Sequence, residues 1–251
     1  MLGIVWTSGC SRSSRSRIAH VDVHFGVVSG EERRSSAEVE AGQRVYTPLV
    51  LWGYDLLVLG FSNRFVWRCR SSKMLERYNT YVGARHLDVG VGTGWFLDHC
   101  DWPVETPQIT LLDLNENSLS MASKRIRRYA PATIQTNVLD PVGLGDVRFD
   151  SIGANYLFHC LPGELESKAA TVASSLRPYL ASNGVLFGST ILGQGARHNL
   201  LGRRLMHLYN RKGIFSNLAD DQRGLEQGLA SQLTDVEVEV VGAVALFAGR
   251  R

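Results

Sequence analysis

Apolar positions along the chain change their period near residue 84. Before that point, from Tyr46 to Tyr81, apolar and aromatic residues recur at helical spacing on segments broken at Pro48 and Gly60, which predicts an N-terminal helical cap. After it, short apolar runs alternate with helical stretches, as they do when strands are buried between crossover helices. Strands are predicted at 86–89, 109–112, 133–138, 150–156, 185–191, 236–241 and 243–248. Helices are predicted at 95–100, 164–176, about 199–212 and 221–233. A further helix follows N-cap candidates Asn115, Asn117 and Ser118, carries Leu119, Ala122, Ile126 and Tyr129 on one face, and stops before Pro131. The last two strands are joined by little more than Gly242, so they should be antiparallel neighbours. The expected fold is α/β, a seven-stranded, mostly parallel, doubly wound sheet with an N-terminal helical cap.

Residues 8–17 are rich in Ser and Arg without an acid, and Glu31 to Ser36 form a second solvated run, so residues 1–44 are expected to be a loosely ordered arm. Residues 45–251 form the expected domain, with cap segments at 45–81 and 195–217. The most apolar run, Leu49 to Phe61, is too short to span a bilayer and holds Asp55, so it reads as a buried helix. With 44% hydrophobic and 20% charged residues, the chain has globular composition. A net charge of +3 with no long basic stripe disfavours a nucleic-acid partner. Cys10, Cys69, Cys100 and Cys160 form no C-x-x-C pair, and His20 and His24 lie in an alternating run, so no metal site is expected. No glycosylation sequon and no charged-then-apolar leader occur, which points to a cytoplasmic setting. Oligomeric state leaves no mark in the pattern.

Candidate chemistry concentrates at Leu87-Asp88-Val89-Gly90-Val91-Gly92-Thr93-Gly94, where a strand gives way to a helix. Glycines there let the backbone turn sharply and meet a ligand without a Cβ in the way. A dinucleotide site would want G-x-G-x-x-G, but the third glycine comes one residue early and Trp95 follows it. No Lys-Ser/Thr pair follows either, which excludes a triphosphate loop. Asp113, 19 residues after Gly94, ends the next strand, where a carboxylate can accept from both hydroxyls of a ribose.

Together, the acid-preceded G-x-G-x-G turn and the second-strand Asp resemble motifs I and II of the class I S-adenosylmethionine-dependent methyltransferases. Gln135 to Asp140 resembles the family's third-strand segment, with Asn137 where Asp is commoner; either Asn137 or Asp140 would read the adenine amino group. Phe149 to Pro162 looks like the fourth-strand motif that faces the methyl donor, and Leu176 to Phe187 like the turn into strand five. The likeness covers roughly residues 84–192 and implies a Rossmann-like fold with S-adenosyl-L-methionine as cofactor. It places Tyr46, Asp88, Gly90, Gly92, Gly94, Asp113, Leu114, Asn137, Val138 and Asn155 at the cofactor.

The resemblance implies methyl transfer, and the aromatic cap segments favour a small, largely apolar acceptor. The alternative is a pericyclase that keeps the cofactor as an electrostatic element. His159 is the first candidate for taking a proton from the acceptor, and Tyr156 the second. No G-x-S-x-G elbow is present for serine chemistry. Because residues 1–40 lack a continuous apolar pattern, deleting them is expected to leave the melting temperature within a few degrees of the parent, as calorimetry would show; a large drop would make the arm structural.

Overall fold

The computed structural model describes residues 62–251. The expected arm, the apolar run 49–61 and Tyr46 lie outside the described residues. A π-type turn over 62–66, closed by the Trp67 amide donating to the Ser62 carbonyl (2.9 Å), leads into helix α1 (Ser71–Tyr81). There follow β1 (Arg85–Val89), α2 (Trp95–His99), β2 (Gln108–Asp113), α3 (Glu116–Arg125), β3 (Ala132–Gln135), β4 (Phe149–Asn155) and α4 (Leu165–Leu176). The chain ends with β5 (Leu180–Ile191), α5 (Leu200–Arg211), α6 (Gln222–Ala230), β6 (Thr234–Val241) and β7 (Val244–Arg250).

These strands make one seven-stranded sheet in the order β3-β2-β1-β4-β5-β7-β6. Strands β1 to β5 pair in parallel, and β7 runs antiparallel to both β5 and β6. The two-residue period of the strands feeds two cores. Leu87, Val89, Leu186 and Phe247 pack with Leu165, Val172 and Leu176 of α4 and Leu225 and Leu229 of α6. Ile109, Leu111, Val185 and Phe187 point the other way, onto Tyr78 of α1, Leu97 of α2 and Leu119 and Ala122 of α3. Each such side chain contributes about 1.5–3 kcal/mol of burial energy, which holds helices that are individually marginal.

Local chemistry sets the element ends. Asn115 caps α3, its side-chain oxygen accepting from the amides of Asn117 (2.9 Å) and Ser118 (3.3 Å), worth about 1 kcal/mol. Strand β3 stops at Gln135 rather than running to Val138 as expected, because the Asn137 side chain accepts from the Leu139 amide (3.1 Å) and turns the chain away. Strand β4 ends at Asn155, one residue early, since Tyr156 adopts a left-handed φ of 55°. Strand β5 begins at Leu180, five residues before the expected Val185; Leu180 pairs Phe149 and Val185 pairs Ser151, so Asn183-Gly184 forms a bulge inside the strand.

Strand order reverses between β1 and β4, so their neighbouring crossovers leave on opposite sides and open a crevice at the carboxyl edge. The centre of the sheet is packed to contact. Gly188 sits between Ala154 of β4 and Phe247 of β7, and a Cβ there would run into the Ala154 carbonyl and come within 2.8 Å of the Phe247 ring. Gly188→Ala, which in an open strand would stabilise by restricting the unfolded chain, is therefore expected to destabilise by about 1–3 kcal/mol in urea unfolding.

Candidate active site

Two adjoining cavities fill the crevice. The first is lined by Val89, Gly90 and Gly92, by Leu112, Asp113 and Leu114 at the end of β2, by Thr136, Asn137 and Val138 after β3, and by Asn155, Tyr156 and Leu157 after β4. Ser118 of α3, Cys160, Leu161 and Ile214 close it. The second runs from Asp88 through the glycine turn to Trp95, Phe96 and Leu97, and shares Gly90, Gly92, Asn155 and Tyr156 with the first. The sheet edge thus gathers Asp88, Gly90, Gly92, Gly94, Asp113, Leu114, Asn137, Val138, Asn155 and Tyr156 around one cleft.

The three glycines of the turn have separate tasks. Gly90, Gly92 and Gly94 all take positive φ (72°, 51° and 71°). A Cβ on Gly94 would press on Ala122 at 3.0 Å, so that glycine lets α3 pack against the turn, whereas a Cβ on Gly92 would meet nothing within 4 Å and would project into open space. The cleft meets a cofactor's requirements at two further atoms. Asp113 is buried, and desolvation pushes its carboxyl up to about 6 despite backbone amides including that of Asn115 (2.8 Å). A buried carboxylate at a cavity wall suits a pair of ribose hydroxyls. Asn155 accepts from Ser189 Oγ (3.0 Å) through its oxygen, while its buried Nδ2 has no partner and so can donate to a ligand.

The proton-transfer candidates lie differently. Tyr156 lines both cavities, and its hydroxyl donates to Asn63 Oδ1 (2.7 Å). His159 lines neither; it is buried behind Tyr156 and Phe215, with ring centroids 5.4 and 4.5 Å away. Its Nδ1 accepts from the Ile191 amide (3.4 Å), which puts the ring hydrogen on Nε2. Burial, reinforced by the Lys168 charge, pushes its pKa down to about 3. The residue expected as proton acceptor is thus set behind the cleft wall, because the sequence shows that His159 follows a strand but not that Lys168 and an apolar shell surround it. Lys168 is itself buried against Asp220 (2.8 Å).

Sequence reasoning did not single out Ser118, Thr136, Cys160 or Ile214. Ser118 was in view as a capping candidate, and one helical turn from Asn115 brings it to the cleft; Ile214 belongs to the expected cap segment 195–217. Thr136 and Cys160 fall within the segments 135–140 and 149–162 that resemble the family's third- and fourth-strand motifs, but nothing in their residue type marks them individually. Among the described residues no cluster of three metal-ligating side chains occurs, and no helix is long and apolar enough to cross a membrane.

A parallel sheet with a glycine turn at its switch point, a buried second-strand carboxylate and a cleft between them defines an α/β protein that holds a nucleoside-bearing cofactor. The family described as methyltransferase domain matches residues 87–186. Methyltransferase aurB of Calcarisporium arbuscula is 38% identical over 226 residues, covering 83% of this chain and 96% of that protein. Demethylluteothin O-methyltransferase of Streptomyces thioluteus is 37% identical over 213 residues, covering 84% and 91%. In fold, the chain resembles a phosphoethanolamine N-methyltransferase 2 of Haemonchus contortus solved with S-adenosylhomocysteine, with a TM-score of 0.59 at 17% identity over 80% of this chain and 46% of that one. The chain belongs to the class I S-adenosylmethionine-dependent methyltransferases. It is an enzyme of methyl transfer, and the names of its relatives lend nothing to the pericyclic alternative.

Since the folded protein holds Asp113 with a raised pKa, folding takes up a proton between the ordinary value of 3.8 and about 6. Stability of the ligand-free protein is therefore lost as pH rises through about 6, by on the order of 2 kcal/mol. Asp113→Asn is expected to melt higher than the parent at pH 8 yet to bind S-adenosylhomocysteine less tightly. Affinity in the parent, measured by calorimetry, should rise between pH 5 and about 7, and the variant should lose that rise. Asp113→Ala should weaken binding by about one to three decades. An Ala variant binding within twofold of the parent would mean that the ribose lies elsewhere.

Proposed function

We propose that the protein methylates an acidic hydroxyl, phenolic or enolic, on a small, planar and largely apolar metabolite. The observation that carries this reading is the aromatic lining of the second cavity, Trp95, Phe96 and Tyr156, with His159 and Phe215 packed behind Tyr156. A wall of this kind favours a flat apolar acceptor. The O-methyltransferase named for demethylluteothin, whose sequence matches most of this chain, supports transfer to oxygen. A cytoplasmic setting, where thiols stay reduced, agrees with the free Cys69 and Cys100.

In this reading Asp113 holds the ribose, Leu114, Asn137 and Val138 enclose the adenine, and Asp88 with the glycine turn receives the methionine end. When bound, S-adenosylmethionine supplies a methyl group activated by its sulfonium. Tyr156, at the junction of the two cavities, orients the acceptor there; its left-handed backbone places the ring across the cleft, and Asn63 fixes its hydroxyl. His159 keeps that wall in place and stays uncharged. With no ring among the described residues poised to take a proton, the acceptor loses its own proton to water before transfer, and the residues contribute alignment and the exclusion of solvent.

The test is a pH–rate series with a set of substituted phenols of graded acidity. The apparent pKa of kcat/KM is expected to follow the phenol; a value constant across the set would reveal a protein base and overturn this account. His159→Gln should keep kcat within about fivefold, whereas loss of a true general base costs about 10²–10⁴.

A further inference from the structure

Behind the glycine turn lies a run of hydrogen bonds that takes one direction when the His86 imidazole is neutral, with His86 Nε2 also 3.5 Å from Asp88 Oδ2. The Tyr78 hydroxyl of α1 is 2.6 Å from Asp88 Oδ2 and 2.8 Å from His86 Nε2. A phenol has one hydrogen, and the carboxylate can only accept, so Tyr78 donates to Asp88 and accepts from His86 Nε2–H. That leaves His86 Nδ1 as an acceptor, and Ser151 Oγ, 2.7 Å away on β4, donates to it. Ser151 in turn accepts from the Gly83 amide (2.8 Å). Tyr78, His86 and Ser151 are fully buried, and Asp88 nearly so. Burial and the Asp88 charge push the Tyr78 phenol well above its ordinary range, so it stays a donor.

Space for this arrangement is also built in. Gly153 on β4 pairs with Asp88, and a Cβ there would come within 3.1 Å of Asp88 Oδ2 and 3.2 Å of His86 Nε2. Phe96 and Phe187 pack on Tyr78 with centroids 5.7 and 5.1 Å away, fixing the ring that carries the last donor. Asp88 itself borders the second cavity.

We infer that Gly83, Ser151, His86 and Tyr78 form a one-way donor relay that sets Asp88 as the receptor for the α-ammonium of the cofactor's methionine end, with Tyr78 and His86 as its positioning residues. This rests on the reading that the cleft takes S-adenosylmethionine with its amino-acid end at Asp88. Every member donates toward the carboxylate, so Asp88 Oδ2 is satisfied from within the protein and its orientation toward the cavity is set before any ligand arrives. The relay also joins α1, from the cap segment, to the cofactor through a single hydroxyl.

The experiment compares two ligands by calorimetry: S-adenosylhomocysteine, which has the ammonium, and 5′-methylthioadenosine, which has the same nucleoside but no amino-acid end. Tyr78→Phe keeps the ring and removes the donor; it should weaken S-adenosylhomocysteine about tenfold and change 5′-methylthioadenosine by less than twofold. Ser151→Ala, further back, should show the same selectivity with a smaller loss. Long-range ¹H–¹⁵N spectra of the ligand-free parent should show His86 as the Nε2–H tautomer. Equal loss of both ligands, loss of neither, or an Nδ1–H tautomer overturns the relay while leaving the cofactor site standing. A parent that binds neither ligand refutes the site instead.

Discussion

Two carboxylates taken out of water at the ends of neighbouring strands are the constraint on which the rest of this structure turns. Asp88 and Asp113 lie on β1 and β2, both nearly buried, and the charge of each works against the other. An isolated buried charge is costly, so each needs donors, and the protein supplies them in different ways. Asp113 receives backbone amides, those of Asn115, Gly92 and Val91, and borders the first cavity. Asp88 is served by the Tyr78 hydroxyl from the opposite direction and faces the cavity already satisfied on one oxygen.

Around these charges the packing follows from the need to keep the sheet edge open in one place and closed everywhere else. Gly94 allows α3 to lie against the turn, Gly153 makes room for the Asp88–His86 pair, and Gly92 leaves its side of the turn open. Across the cleft, Tyr156 accepts a strained backbone to present its ring, held by Asn63 and supported by His159 and Phe215. The Lys168–Asp220 pair sits behind that wall, and Lys168 also donates to the Ser216 carbonyl (2.6 Å), tying the loop that carries Phe215 to α4. A buried ion pair of this kind contributes little net stability, but removing either partner would strand a charge beside His159.

Much of this was legible along the chain. The period of the apolar residues located all seven strands: burial on both faces leaves apolar runs in the central β1, β2, β4 and β5, while β6 shows the alternation of a half-buried edge strand. The glycine turn and Asp113 were legible because backbone conformation and a strand-end carboxylate are local properties. Where boundaries slipped, as at Gln135, Asn155 and Leu180, the cause was a side-chain turn, a left-handed residue or a bulge, each decided by one contact rather than by period.

The sequence by itself determined the fold class, the place of the glycine turn and the kinship with methyltransferases, since all three depend on residue types at fixed spacing. Tertiary structure alone decided the surroundings of His159 and His86. Both are single histidines beside strands, yet one is walled in by Lys168 and aromatic rings, and the other is threaded between Ser151, 65 residues away, and Tyr78 on a separate helix. Protonation and hydrogen-bond direction depend on the dielectric and the partners that folding assembles, and those come from distant parts of the chain.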